Sequence, residues 1–319
     1  MNNFFFTSVE IPPAKEQISY QHKLMLLGSC FSENIGMKLK EAFFQVDVNP
    51  FGVLYNPLSI STSLNRLIEN KGFSLSDIFE YQSLWHSFFH SSLFSDVSPE
   101  KTLYKIKTRF DASCSFLKNT DFLLLTFGTA WIYENRETKT VVSNCHKLPS
   151  QNFNRRILSI KEIVDHYTLL IDQLQHLNPS LHIIFTVSPI RHWKDGAHEN
   201  NLSKSILLLS VEELQRKFDN VDYFPAYEIQ LDELRDYRFY APDMQHPSDT
   251  AINYIWEKFS DTYFSEQTKQ IKQRTEHLTS LLNHRPLHPD SPQYRLFQTQ
   301  IENEKEALRS EYPFLKDRI

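Results

Sequence analysis

The chain has 319 residues and a formal net charge of −5 with no basic block, which excludes a dedicated nucleic-acid binder, because neutralising phosphates takes a lysine- and arginine-rich face. Hydrophobic residues are 40% of the total, with 25 Phe and 14 Tyr, enough to pack a core and to argue against disorder. No apolar run approaches the roughly 20 residues a bilayer span needs; the opening MNNFFFTSVEIPPAKEQ has no basic segment of the signal-peptide kind, and three cysteines at irregular spacing predict reduced thiols in a cytoplasmic setting.

In chain order, Leu24 to Leu27 read as a buried strand that Gly28 breaks, followed by Ser29-Cys30-Phe31 and a helix over 32–44 with Ser32 as its cap. NPFGVLYNP (49–57) reads as a loop and 59–70 as a helix. Residues 99–118 read as a helix opened by Ser98 as cap and Pro99 at the first helical position. DFLLLTFG (121–128) is a second buried strand, and WIYENRETKTVVSN a hairpin turning near 135–138. Residues 159–177 form a helix, with Ser159 and Glu162 at capping-box spacing. A third strand spans 182–190, a helix 203–218, a fourth strand VDYFPAY, and an apolar helix 251–259. Short continuous apolar strands alternating with helices predict a three-layer α/β/α sandwich around a mostly parallel sheet. Beyond about residue 261 the composition turns to Lys, Glu, Gln and Arg, and two helices flank HRPLHPDSP. The expected division is a domain over 1–260 and a C-terminal helical extension over 261–319.

Four runs carry candidate chemistry: Gly28-Ser29-Cys30-Phe31-Ser32, Asn49-Pro50-Phe51-Gly52, Gly128-Thr129-Ala130-Trp131 and Asp243-Met244-Gln245-His246-Pro247. A nucleophile at a strand-to-helix turn is exposed at the sheet's C-terminal edge beside a helix N-terminus, whose partial positive charge favours a thiolate. On that ground the Cys30 thiol is expected to have a lowered pKa and to be the most reactive of the three. Asp243 and His246, three apart, allow the carboxylate to fix the imidazole tautomer. Read alone, Cys30 is equally a small buried residue, and Asp243 and His246 a loop acid that caps the next helix and an exposed histidine.

In this order the runs resemble the SGNH (GDSL-like) hydrolase superfamily, and GSCFS with NPFG, NCHK and DMQHPS resembles the GSCFA-domain family within it. The resemblance implies an esterase-like or acyltransferase site that needs no cofactor and no metal. Cys30 stands at the position of the superfamily's serine nucleophile, His246 at its base and Asp243 at the orienting acid. It also implies oxyanion or substrate contacts from Ser29, Asn49, Gly52, Gly128 and Thr129. Ala130 stands where the superfamily has an oxyanion asparagine. Cys145-His146, in NCHK, is expected at the rim of the pocket. Arg191 and His192, in the loop after the third strand, are substrate-contact candidates, since ligand loops collect there.

The expected partner is a small-molecule or glycan ester, with neither nucleic acid nor a membrane span involved. Two rivals stand beside this reading. One is a glycan- or ligand-binding protein on a hydrolase scaffold, for which the loss of an oxyanion donor costs nothing. The other is a metal enzyme using His86 and His90, which would share a face if LWHSFFHSSLF were helical, although the aromatic company favours a half-buried, hydrogen-bonded pair.

Overall fold

A computed structural model describes residues 7–319. Ten strands and nine α-helical segments follow one another among the described residues. The first half runs β1 (Lys23–Gly28), α1 (Cys30–Glu41), β2 (Gln45–Val48), α2 (Pro57–Ile68), β3 (Phe79–Tyr81), β4 (Leu84–His86), α3 (Pro99–Leu117) and β5 (Phe122–Phe127). The second runs β6 (Trp131–Asn135), β7 (Val141–Val142), β8 (Phe153–Ile157), α4 (Ile160–Leu177), β9 (His182–Val187), α5 (Ala197–Lys217), β10 (Val221–Tyr223), α6 (Ala226–Glu228), α7 (Asp249–Tyr263), α8 (Glu266–Leu282) and α9 (Pro292–Glu311).

Five strands make one sheet in the order β10-β9-β5-β1-β2, every pairing parallel. Side chains alternate faces along a strand, and here both faces are buried. Met25, Leu27, Leu123 and Leu125 pack with α2, α3, α4 and α5. Leu24, Leu26, Phe122 and Leu124 pack with α1, α7, α8 and α9. The protein is therefore a three-layer α/β/α sandwich, and burial on two sides is why its strands read as unbroken apolar runs. A smaller antiparallel sheet, β7-β6-β8, projects beyond the end of β5.

The caps at Ser98 and Ser159 form as expected: Ser98 accepts from the Lys101 N–H, and Ser159 exchanges bonds with Glu162. Other expectations are corrected. α1 begins at Cys30, with Ser29 as its cap. Ser32 lies inside the helix, where its hydroxyl donates to Thr126 Oγ1 at 2.7 Å. β2 was absent from the sequence reading. α5 begins at Ala197. His86 ends a strand rather than lying on a helix. Cys145 and His146 lie past the end of β7, with His146 in a left-handed turn (φ 48°). The tail helices pack on the sandwich through Ile271, Leu278, Ile301 and Leu308.

Candidate active site

The turn at Gly28 builds the site. Gly28 has φ +146°, and a Cβ there would sit 2.3 Å from the Thr126 carbonyl oxygen of β5. Only glycine lets β1 end this close to its neighbour and swing into α1. The turn is tied to the second run. The Gly28 N–H donates to Asn49 Oδ1 at 2.9 Å, the Leu54 N–H donates to the Gly28 carbonyl at 2.8 Å, and the Asn49 N–H donates to the Leu26 carbonyl at 2.8 Å. Ser29 caps α1 by accepting the Phe31 N–H at 3.3 Å, so Cys30 is the first residue of the helix.

The fourth run closes on itself. Asp243 Oδ1 accepts the Gln245 and His246 N–H groups at 2.9 and 3.0 Å, and Oδ2 meets His246 Nδ1 at 2.5 Å. These bonds hold the Asp243 carboxyl down at about 2, the His246 and Gln245 backbone N–H groups first and the imidazole after them. A carboxylate on Nδ1 leaves Nε2 free to accept a proton, the arrangement a general base needs. Met244 makes the loop possible with φ 59°.

Cys30 and His246 line one cavity of about 570 Å³. They share its wall but no hydrogen bond among the described residues. The wall also includes Ser29, Thr129, Arg191 and His192, all expected there, and Cys145. Three expected residues are placed otherwise. Gly52 lies against Ser91, has φ +76°, and donates its N–H to the Asn49 carbonyl at 2.8 Å, so that N–H is engaged in a turn. Gly128 donates to the Tyr55 carbonyl at 2.8 Å. Asn49 braces the Gly28 turn through Oδ1, while its buried Nδ2 has no partner among the described residues. Ala130 is fully buried in the core, and its N–H donates to Ser203 Oγ at 2.7 Å, so this position faces the core.

Sequence reasoning missed Asn56. It lines the same cavity as Cys30, and its Oδ1 caps α2 by accepting the Ser59 N–H at 2.8 Å. With Oδ1 fixed, the NH₂ group is the end left to donate. The signal was present: an Asn immediately before Pro57, the N-cap and first-turn proline of a helix. The wall is further built from Tyr55, Trp131 and Tyr133, with the Arg155 guanidinium 3.9 Å above the Trp131 ring.

The expectation of an acidified Cys30 is corrected. Burial raises its thiol above the ordinary value, and this outweighs the lowering by the N–H groups of Cys30 and Phe31. Cys114 and Cys145 are both pushed up to about 11, again by burial. Burial lowers His192 to about 4, so it is neutral near pH 7. Among the described residues, no group of three or more His, Cys, Asp or Glu is placed to hold a metal. The His86 ring instead bonds Ser95 Oγ and the Tyr81 carbonyl, and the His90 ring bonds Ser87 Oγ.

The GSCFA family model matches residues 23–259, and the GSCFA domain protein C-terminal domain matches residues 275–317. No curated protein sequence matches the chain. Among solved structures, a carbohydrate esterase family 3 protein from Talaromyces cellulolyticus is 12% identical, with 79% of this chain and 99% of that chain covered and a TM-score of 0.38. The Clostridium thermocellum family 3 carbohydrate esterase is 12% identical, covering 79% and 97%, at 0.36. A carbohydrate esterase family 2 enzyme from Corynascus thermopiles (Myceliophthora fergusii) is 13% identical, covering 79% and 67%, at 0.40.

Proposed function

The chain belongs to the GSCFA family, and from that premise and the cavity we propose an SGNH-like ester hydrolase or acyltransferase with Cys30 as nucleophile, His246 as base and Asp243 as its orienting acid. The single observation that carries the reading is the Asp243–His246 pair at 2.5 Å, whose imidazole lines the cavity that Cys30 also lines. In the first step His246 Nε2 takes the thiol proton while sulfur attacks the ester carbonyl carbon. The oxyanion collects hydrogen bonds from the N-terminus of α1 and the Asn56 amide. Collapse breaks the C–O bond, the imidazolium gives its proton to the leaving alkoxide, and an acyl thioester remains on Cys30. Water or an acceptor hydroxyl then attacks, with His246 as base again, and restores the thiol. Catalytic contacts of this kind tighten with substrate bound, and the Cys30–His246 contact is expected to close in that complex.

The substrate is proposed to be a small-molecule or glycan ester with a short acyl group, because the aromatic rings of Tyr55 and Trp131 line the same cavity as the nucleophile. Residues 261–319 are proposed as a helical extension that supports the domain rather than the chemistry.

The test is hydrolysis of short-chain activated esters and thioesters by wild type, Cys30→Ala and His246→Ala. Turnover in wild type with a loss of about 10³-fold or more in either variant is expected. Cys30→Ser should retain a fraction of the activity, since the pocket is shaped around sulfur. No turnover across a broad acyl panel, together with glycan binding that survives Cys30→Ala, would replace the enzyme with a binding protein on this scaffold.

A further inference from the structure

Lys204, on α5, is fully buried and lies behind the cavity wall rather than in it. Its Nζ donates to the Gly128 carbonyl at 2.8 Å and to the Ser188 carbonyl at 2.7 Å. These carbonyls follow β5 and β9, so the ammonium bridges the C-terminal edge of the sheet, next to the strand whose end presents Cys30. Ser188 itself lines the cavity. Among the described residues no carboxylate lies within ion-pair distance of Nζ; its other close companion is the Tyr227 ring, 5.4 Å away. A buried ammonium held only by carbonyl dipoles is costly, and it favours any nearby group that can become an anion.

We propose that Lys204 is the built-in counter-charge of the Cys30 thiolate: a positioning residue behind the cavity wall that favours the ionised nucleophile without touching substrate.

Burial, above all, and Glu33 raise the Cys30 thiol while Lys204 lowers it, and Cys30 in turn raises Lys204. Burial, with a smaller contribution from Arg191, brings Lys204 down to about 7. Burial first, and then Lys204, Lys194 and His246, disfavour charge on His192 and keep that ring neutral. Near neutral pH Lys204 is therefore partly charged while Cys30 keeps its proton, so the ammonium stabilises the thiolate as the base removes that proton. The two N–H···O bonds give Lys204 a second effect, since they also fix the Gly128 and Ser188 loops against each other.

The proposal rests on Cys30 being the nucleophile, but its test reads the thiol and not turnover. Iodoacetamide alkylation of Cys30, followed by peptide mapping from pH 6 to 10, is compared in wild type and Lys204→Met, with Cys145 as the reference thiol in the same molecule. Lys204→Met should move the Cys30 profile to higher pH and slow labelling near pH 7 about tenfold for each unit moved, leaving Cys145 unchanged. An unchanged Cys30 profile in a folded Lys204→Met protein overturns the proposal. Should that variant not fold, coupling is read from the other side, because it is reciprocal. In wild type and Cys30→Ala labelled with ¹⁵N-lysine, the Nζ titration of Lys204 should fall to lower pH in the variant, and identical midpoints overturn the proposal. Ester turnover that survives Cys30→Ala would remove the nucleophile reading alone, with the charge coupling still measured.

Discussion

At the residue scale, burial decides the character of the reactive groups. The thiol at Cys30 is raised in spite of its helix N-terminus, so a position in the sequence was a poor guide to its acidity. Burial also lowers His90 to about 3, in a cage of Phe51, Phe73 and Phe94. The sign follows directly. Above pH 6.5 the ring is neutral in both folded and unfolded chains. Below it the unfolded chain takes a proton that the folded chain refuses until about pH 3. Stability is therefore lost as pH falls through this window, by up to about 1.4 kcal/mol per pH unit. Urea midpoints measured from pH 7 to 4 should show this slope, and His90→Phe should flatten it. A slope unchanged in His90→Phe would assign the acid sensitivity elsewhere. Asn56 offers a sharper test of the oxyanion assignment. Asn56→Asp keeps an oxygen to cap α2 but removes the NH₂ donor. It should leave the melting temperature nearly unchanged and cut kcat by roughly 10²-fold; an unchanged kcat would remove Asn56 from the site.

At the element scale, the strand–turn–helix unit from β1 to α1 carries the geometry, and Gly28 is its most constrained point. Gly28→Ala places a methyl group 2.3 Å from the Thr126 carbonyl at a φ that alanine rarely adopts. It should destabilise the fold by more than about 2 kcal/mol, read from urea unfolding. A cost below about 1 kcal/mol would mean that β1 and β5 tolerate separation. Legibility varied by element for identifiable reasons. β1, β5 and β9 were readable because burial on two faces leaves continuous apolar runs. β2 was not, because Gln45–Val48 is a short edge strand with Asp47 within it, a carboxylate that pairs with Arg109 from α3. The start of α1 was misread because two serines, Ser29 and Ser32, compete as caps; the buried Ser32–Thr126 bond that decides between them joins residues far apart in sequence. α5 reaches back to Ala197 through a polar first turn, AHENN, in which apolar periodicity is silent. In the site, Asp243–His246 was legible because its partners are three residues apart. Asn56 was legible only as the cap before Pro57, and Lys204 not at all, because their places relative to the cavity come from tertiary packing.

At the scale of the whole molecule, the C-terminal helices complete one layer. Tyr20 bonds Thr275 at 2.9 Å, the Arg318 guanidinium donates to the Tyr20 carbonyl at 2.9 Å, and Leu278, Leu308 and Leu315 are fully buried beside α1. Each such leucine contributes about 1.5–3 kcal/mol of burial. A chain ending after Phe264 should therefore lose solubility or melt at least 10 °C lower than the full chain. Equal melting temperatures would show that the sandwich stands without them. The same layer packs on α1, with the Thr279 hydroxyl donating to the Glu41 carbonyl at its C-terminal end, so loss of the tail should also depress turnover through a displaced Cys30. The most direct measurement of the central claim is the identity of the acylated residue. Wild type mixed rapidly with an activated acetate ester, quenched in acid and mapped by mass spectrometry should carry one acetyl group as a thioester on Cys30. That adduct should be absent in Cys30→Ala and should form slowly in His246→Ala. Acetyl on another residue, or no adduct in a protein that nonetheless turns over the ester, would contradict Cys30 as the nucleophile.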